Sequence, residues 1–442
     1  MKSLLTNKYL WLLFIIFALN IPLEMIEHQV EERSMQRDTA KTSVARSWTG
    51  AQKVLGPLLV IPYEQKSNVR IALGDGTFKT EERWHKVLMP VAAESQSSRV
   101  NIRTQTLKKG IYPVPVYTSL QDVNASFNLE SVKAFFREES VRRVEKAYLS
   151  FGVEDVRGIL GKPKLSVNQE PTEVEPGSNL TFFPSGVNAT VEDKLLTGKL
   201  IEVVFSLELK GMEALEFIPL GKSNFIEVNS DWPHPNFIGT FLPTEREINT
   251  QGYSAQWQTG IFATDIVNVL ERCMRSTCEN GLIASQFGVR HIQAVDIYLQ
   301  TLRSVKYGIL TIVVTFAIFL LYELVTRKAS IHPVAYALTG FSLAIFFLLL
   351  LALSEHLTFI WAYWSAALSC TLLIGYYVRH QTQSVGEGAG IFVVLNLFFL
   401  VLYFIIGAED YALLSGSFLL FVLLATIMFV TRKVDWYRLS PT

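Results

Sequence analysis

The sequence predicts an α+β membrane protein. It has an N-terminal transmembrane anchor, a large β-rich extracytoplasmic domain and a C-terminal bundle of five transmembrane helices. Three observations predict this. Six apolar runs are placed lopsidedly, one near the N-terminus and five in the last third of the chain. The long stretch between the first and second runs alternates apolar and polar residues between clusters of Gly, Pro, Asn and Asp, as half-buried strands do. The basic residues of the short loops all fall on one side of a six-span arrangement.

The runs are residues 9–26, 307–325, 334–353, 359–378, 388–407 and 411–430. Each is about 18–20 residues long, enough for a helix to cross a hydrocarbon core of about 30 Å. Backbone in lipid must satisfy its own hydrogen bonds, which makes each run a helix. The expected division is an anchor over 1–27, a stalk helix over 28–48, the extracytoplasmic domain over 49–306 and the five-span bundle over 307–442. The first run reads as an uncleaved anchor. A cleaved signal peptide is the alternative, opposed by the length of the apolar core and the lack of an A-x-A-like site.

Orientation follows from the loops. Lys2 and Lys8 precede the first span; Arg327, Lys328 and His332 follow the second; Arg379 and His380 follow the fourth; Arg432, Lys433 and Arg438 follow the sixth. The opposite side carries Glu355-His356 and Glu409-Asp410, with no Lys or Arg. Both termini are therefore expected in the cytoplasm, with the large domain on the extracytoplasmic side.

Within that domain, 54–63 is a short apolar run, and 99–106 and 111–117 alternate around a Lys-Lys-Gly turn at 108–110. Residues 199–209 and 225–229 also alternate, whereas 129–146 and 261–274 read as helical. One domain and two small β subdomains divided near 150–170 both fit this pattern.

Lys plus Arg and Asp plus Glu balance at 40 each, so the chain offers no electrostatic footprint for nucleic acid. The lipid bilayer is the partner the spans require. An envelope component or another periplasmic or inner-membrane protein is the further partner expected. No nucleophile elbow, zinc-protease helix, phosphate loop or dinucleotide fingerprint is present, and the seven histidines show no ligand spacing. The reading leans away from an enzyme and implies no cofactor and no metal.

The residues singled out for binding are His234, Trp257, Glu355 and His356. His234 sits between Pro233 and Pro235 in a stiffened loop. Its other reading, like that of Trp257, is a structural residue of the domain. Glu355 and His356 lie in the short link between spans three and four, which holds them at the membrane plane; a solvated helix end is their other reading. Cys273 and Cys278 suit a disulfide in an oxidising compartment. Free thiols, or a metal held with Glu279 and the more distant His291, are the alternatives. Cys370 reads as a small apolar packing residue. Glu323 is expected to pair with Arg327 one turn on. Asn396 and Thr371 are the deep polar groups of the bundle, and helix-to-helix hydrogen bonding accounts for them.

Several segments together carry a family resemblance. They are Thr49-Gly50, Gln52-Lys53, Gly56-Pro57-Leu58 and Ile61-Pro62; Asp155 with Arg157-Gly158; Asn229 through Pro235, which contains Trp232-Pro233-His234-Pro235; Gln256-Trp257-Gln258; Leu348 through His356, which contains Leu353-Ser354-Glu355-His356; and Asp435-Trp436-Tyr437. The chain resembles the CreD family, also called cell envelope integrity proteins, along essentially its whole length. The resemblance implies a Gram-negative inner-membrane protein tied to envelope integrity and envelope-stress responses. It supplies no reaction, and the Cys273–Cys278 pair stands outside its pattern. A small-molecule or lipid transporter, and a membrane-embedded enzyme acting at the outer leaflet through Glu355, His356 and His234, are the alternatives to a binding protein.

Overall fold

The computed structural model describes residues 2–72, 78–138, 140–143, 145–192, 198–275, 278, 281–292, 296–326, 331–407 and 412–432. Arg327, Lys328, Glu409, Asp410, Lys433 and Arg438, the Asp435-Trp436-Tyr437 segment and Glu279 lie outside the described residues. The chain is a mixed helix-and-sheet protein with apolar helices at both ends of a β-rich middle. It divides into two compact units, Thr39–Ala294 and the pair Met1–Asp38 with Val295–Thr442. Helix α1, Lys2–Ser47, contributes to both and continues through Pro22.

Two sheets make up the β-rich unit. The larger runs in the order Pro235–Gly239, Phe287–His291, Ala214–Ile218, Gln52–Ala72, Tyr148–Val153, Gly186–Thr190, Glu175–Pro176. Phe78–Val91 and Val141–Arg143 also pair with Gln52–Ala72. The second sheet runs Glu245–Asn249, Gly252–Gly260, Ser223–Ser230, Ser95–Lys109, Tyr112–Asn128, Leu200–Met212, Ile159–Val167, Glu170–Thr172. Its central hairpin pairs Lys109 with Tyr112 across Gly110 and Ile111, and Gly110 takes the positive φ of 62° that the tight turn requires.

The apolar run at 54–63 serves two cores. Successive strand residues face opposite ways. Leu59 and Ile61 enter the core shared with the second sheet, where the Phe151 and Phe205 rings stack at 3.8 Å. Leu58 and Val60 face the other way, into a smaller core with Ile266, Leu270 and Cys273. A strand buried on both faces has no alternation to show, which is why this segment reads as a continuous apolar run. Because residues from both sheets meet in one core, the unit does not divide near 150–170 into two subdomains.

The stretch 129–146 is not one helix. Only α2, Glu130–Phe135, forms, and Val141–Arg143 then pairs with Tyr63, Glu64 and Gln65. Arg142 donates to Glu64 and lies over the Trp84 ring. These tertiary contacts outweigh the helix propensity of a Glu-, Arg- and Lys-rich segment. The helix expected over 261–274 is broken into α3, Ile261–Thr264, and α4, Ile266–Arg275, by Asp265 at a φ of 46°.

In the other unit, α5 (Ile297–Lys306) bends by 44° into α6, and α6 to α10 are Gly308–Thr326, Pro333–Ser354, Phe359–Thr382, Val385–Gly407 and Ala412–Thr431. Among the described residues α1, α7, α8 and α9 are each long and apolar enough to cross a membrane, and the bent α5–α6 pair makes a fifth where it is counted as one span. Within α10 the apolar stretch Leu414–Phe429 is shorter than these. Helix α1 sits close to its neighbours where they carry glycine: a Cβ on Gly308 or Gly340 would lie 2.8 Å or 2.1 Å from atoms of Leu23 or Leu19. Asn396 donates to Thr371 at 3.0 Å, joining α9 to α8.

Glu323 has partners that its sequence neighbourhood does not show. Lys8 of α1 places its Nζ 2.6 Å from Oε2, and the Ile331 amide and the Tyr336 hydroxyl donate to Oε1. The carboxylate is thus met across helices by a residue 315 positions away.

Candidate functional site

The candidate ligand site is a cavity of about 520 Å³ in the β-rich unit. It forms where the smaller core reaches the surface, beside the C-terminal end of α4. Phe182 and Phe183, from the turn before strand Gly186–Thr190, form one wall. Ile218, Met274 and Leu282 form others, with Cys273 and Cys278 joined in a disulfide beside them. That bond ties the end of α4 to the chain five residues on, at the cavity wall.

Three charged residues reach the cavity: Lys53 at the start of strand Gln52–Ala72, Arg275 at the end of α4, and Glu154. Among the described residues, none of the three is in an ion pair. An apolar interior with a few charges at its edge and a volume in the range of about 300–1,000 Å³ is the usual form of a small-ligand site. Among the described residues no three His, Cys, Asp or Glu side chains gather as metal ligands would.

The four residues singled out for binding do not converge there. Trp257 is a core residue: it is 1% exposed, stacks on Phe287 and donates its Nε1 to the Phe241 carbonyl at 3.1 Å. The His234 side chain is exposed, and its backbone carbonyl accepts from the Ile292 amide. Its neighbour Trp232 donates Nε1 to the Ile292 carbonyl at 2.9 Å, so the Pro-flanked loop is pinned to the end of strand Phe287–His291.

Glu355 and His356 belong to the other unit. His356 is exposed. Glu355 is engaged: the Tyr298 hydroxyl donates to Oε1 at 3.3 Å, and Arg33 Nε lies 3.7 Å from the same oxygen. One α-helical step away, Arg37 sits over the Tyr298 ring and reaches Asp296 at 2.7 Å. Burial disfavours the charge on Asp296. The hydrogen bond from Arg37 and those from the Leu299 and Tyr298 amides outweigh it, holding the carboxyl below its ordinary range. Here α1, α5 and the end of α7 are joined by alternating charges, and Glu355 is a link in that chain.

Residues that carry the family resemblance also do structural work. Buried Gln52 donates to the Asp155 and Lys210 carbonyls and accepts from the Asp155 amide. Arg157 hydrogen-bonds Asp155, lowering its pKa, and donates to the Arg46 carbonyl at 2.8 Å. A Cβ on Gly158 would lie 2.4 Å from Gln52 Nε2, so this knot requires glycine.

His291 is the buried ionisable group that sequence reasoning passed over, naming it only as a distant metal partner. It is 5% exposed, its Nε2 lies 3.1 Å from the Tyr253 hydroxyl, and Tyr117 and Trp232 pack against its ring. Burial pushes its pKa down to about 4, with Asp231 opposing. The cavity was also missed. Only Cys273 and Cys278 marked it, since its other walls come from separated places in the chain.

Comparison with known proteins places this architecture among relatives. The family model described as Inner membrane protein CreD matches residues 4–437. The protein named Inner membrane protein CreD of Escherichia coli (strain K12) is 31% identical over 440 residues, covering 100% of this chain and 95% of its own length.

Proposed function

The chain belongs to the CreD family of inner-membrane proteins, and from that premise we propose that it is a non-enzymatic envelope protein. Its β-rich unit stands in the periplasm, binds an envelope component and thereby supports envelope integrity and the response to envelope stress. The observation that carries this reading is the cavity beside α4, which has the volume and the apolar walls of a binding site. The engaged state of Glu355 supports binding over acid–base chemistry at that position. A carboxylate already held by Arg33 and Tyr298 is poorly placed to take a proton from a substrate.

The test is complementation by the full-length chain in an Escherichia coli strain lacking its own CreD. Thr181 is an exposed turn residue that lines the cavity, so Thr181→Trp fills the space from outside the core. We expect that variant to reach wild-type abundance in the membrane and to leave cells as sensitive to detergent and bile salts as the empty strain. Full protection by Thr181→Trp at equal abundance would overturn the proposal.

A further inference from the structure

We propose that the cavity takes a single-chain amphiphile with a singly charged acidic head, the chemistry shared by lysophosphatidylglycerol and free fatty acids. The inference rests on the reading of the β-rich unit as a binding domain and names what that domain binds.

Most of the uncharged wall is apolar. Phe182, Phe183, Ile218, Met274 and Leu282 line it, and the exposed Thr181 adds one hydroxyl. Burying a hydroxyl-rich or peptide-like body there without partners carries an unsatisfied-polar cost, whereas each buried methylene is favourable. The walls therefore select an acyl or alkyl chain.

The charges select the head. Lys53 and Arg275 both line the cavity, and among the described residues neither has an ion-pair partner. Arg presents a planar fork suited to two oxygens of one carboxylate or phosphate, and Lys adds a point charge. Among the described lining residues Glu154 is the third charge, leaving these three one positive charge in excess. That sum suits a monoanion. A phosphomonoester carrying two negative charges meets the same Glu154 at greater cost, and a neutral sugar head gains nothing from either cation. Lys53 and Arg275 stand on different elements, a strand start and a helix end, so the two cations reach the cavity from separate parts of the fold.

The experiment uses the full-length protein in nanodiscs and a palmitoyl lysophosphatidylglycerol carrying a diazirine in its chain. After irradiation, labelled peptides are mapped by mass spectrometry, which separates the cavity from lipid bound around the transmembrane helices. We expect labelling on peptides containing Phe182–Phe183 and Met274. Palmitate should compete, while glycerol phosphate and dodecyl maltoside should not. Labelling should fall about tenfold or more in Lys53→Glu/Arg275→Glu, as loss of a charge-assisted bond predicts. It should rise in Glu154→Gln, a gain that a folding defect cannot produce.

Cavity labelling that is unchanged in the double charge reversal, or competition by dodecyl maltoside equal to that by palmitate, would overturn the acidic head. Full competition by glycerol phosphate would overturn the chain. Absence of cavity labelling would reject the amphiphile altogether. If Thr181→Trp still abolishes protection in cells, the binding domain survives that result and only its ligand class falls. If Thr181→Trp protects fully, the binding reading itself falls.

Discussion

Burial decides the charge of His291, and with it how the β-rich unit responds to acid. In the fold its pKa is pushed down to about 4, against about 6.5 in an unfolded chain. Above pH 6.5 the ring is neutral in both states and contributes no slope. Between 6.5 and 4 the unfolded chain binds a proton that the folded chain refuses, so stability falls as pH falls. The full gap corresponds to about 3 kcal/mol, reached only below pH 4. Thermal unfolding of the full-length chain should show this loss, and His291→Gln should flatten it while keeping a polar partner for Tyr253. An identical pH slope in the variant would show that other groups carry the acid response. At this scale the sequence was partly legible. Trp257 was read as a core aromatic in one of its two readings, because large aromatics are normally buried. His291 gave no signal, because its environment is built by Tyr117, Trp232 and Tyr253 from three other places in the chain.

At the level of elements, the apolar helices were legible because lipid imposes a length and a composition on any segment that crosses it. The strands with one buried face were legible from alternation, and the Lys-Lys-Gly turn marked its hairpin. Residues 129–146 were not, because pairing with Tyr63, Glu64 and Gln65 decides their structure. Nor was the union of Lys8 with Glu323, which joins α1 to α6 and depends on how helices pack rather than on their composition. Both side chains are largely buried, at 8% and 15% exposure. Removing one partner of such a pair strands the other, at a cost of about 3–5 kcal/mol, whereas replacing both is often close to neutral. Lys8→Met should therefore lower the thermal midpoint and the membrane abundance of the chain, and adding Glu323→Gln should recover most of the loss. If the double variant is as damaged as the sum of the two single variants, the pair is not coupled and α1 is held by apolar packing alone.

For the whole molecule, the cavity and the membrane topology are read in opposite ways. The cavity was invisible in sequence because Lys53, Glu154, the 181–183 turn, Ile218 and the end of α4 meet only in the fold. Topology is a property of the chain before it folds: basic residues near the spans resist translocation, and the loops are threaded one after another. The turn between α8 and α9 follows Arg379 and His380 at the end of α8, and His332 caps the start of α7, which opens on that same side. The link between α7 and α8 carries Glu355 and His356 and no Lys or Arg. By alternation from these loops we propose that the N-terminus, the α8–α9 turn and the C-terminus lie in the cytoplasm and the β-rich unit in the periplasm. Fusions of a reporter active only in the periplasm should be silent at Gln383 and Thr442 and active at Gly110 and Gly407, with a cytoplasmic reporter giving the complement. Periplasmic activity at Thr442 together with silence at Gly407 would mean that the last helix does not cross as assigned. Silence at Gly110 would place the cavity in the cytoplasm and remove the envelope ligand from its reach, so this one fusion bears on the proposed function as directly as any binding measurement.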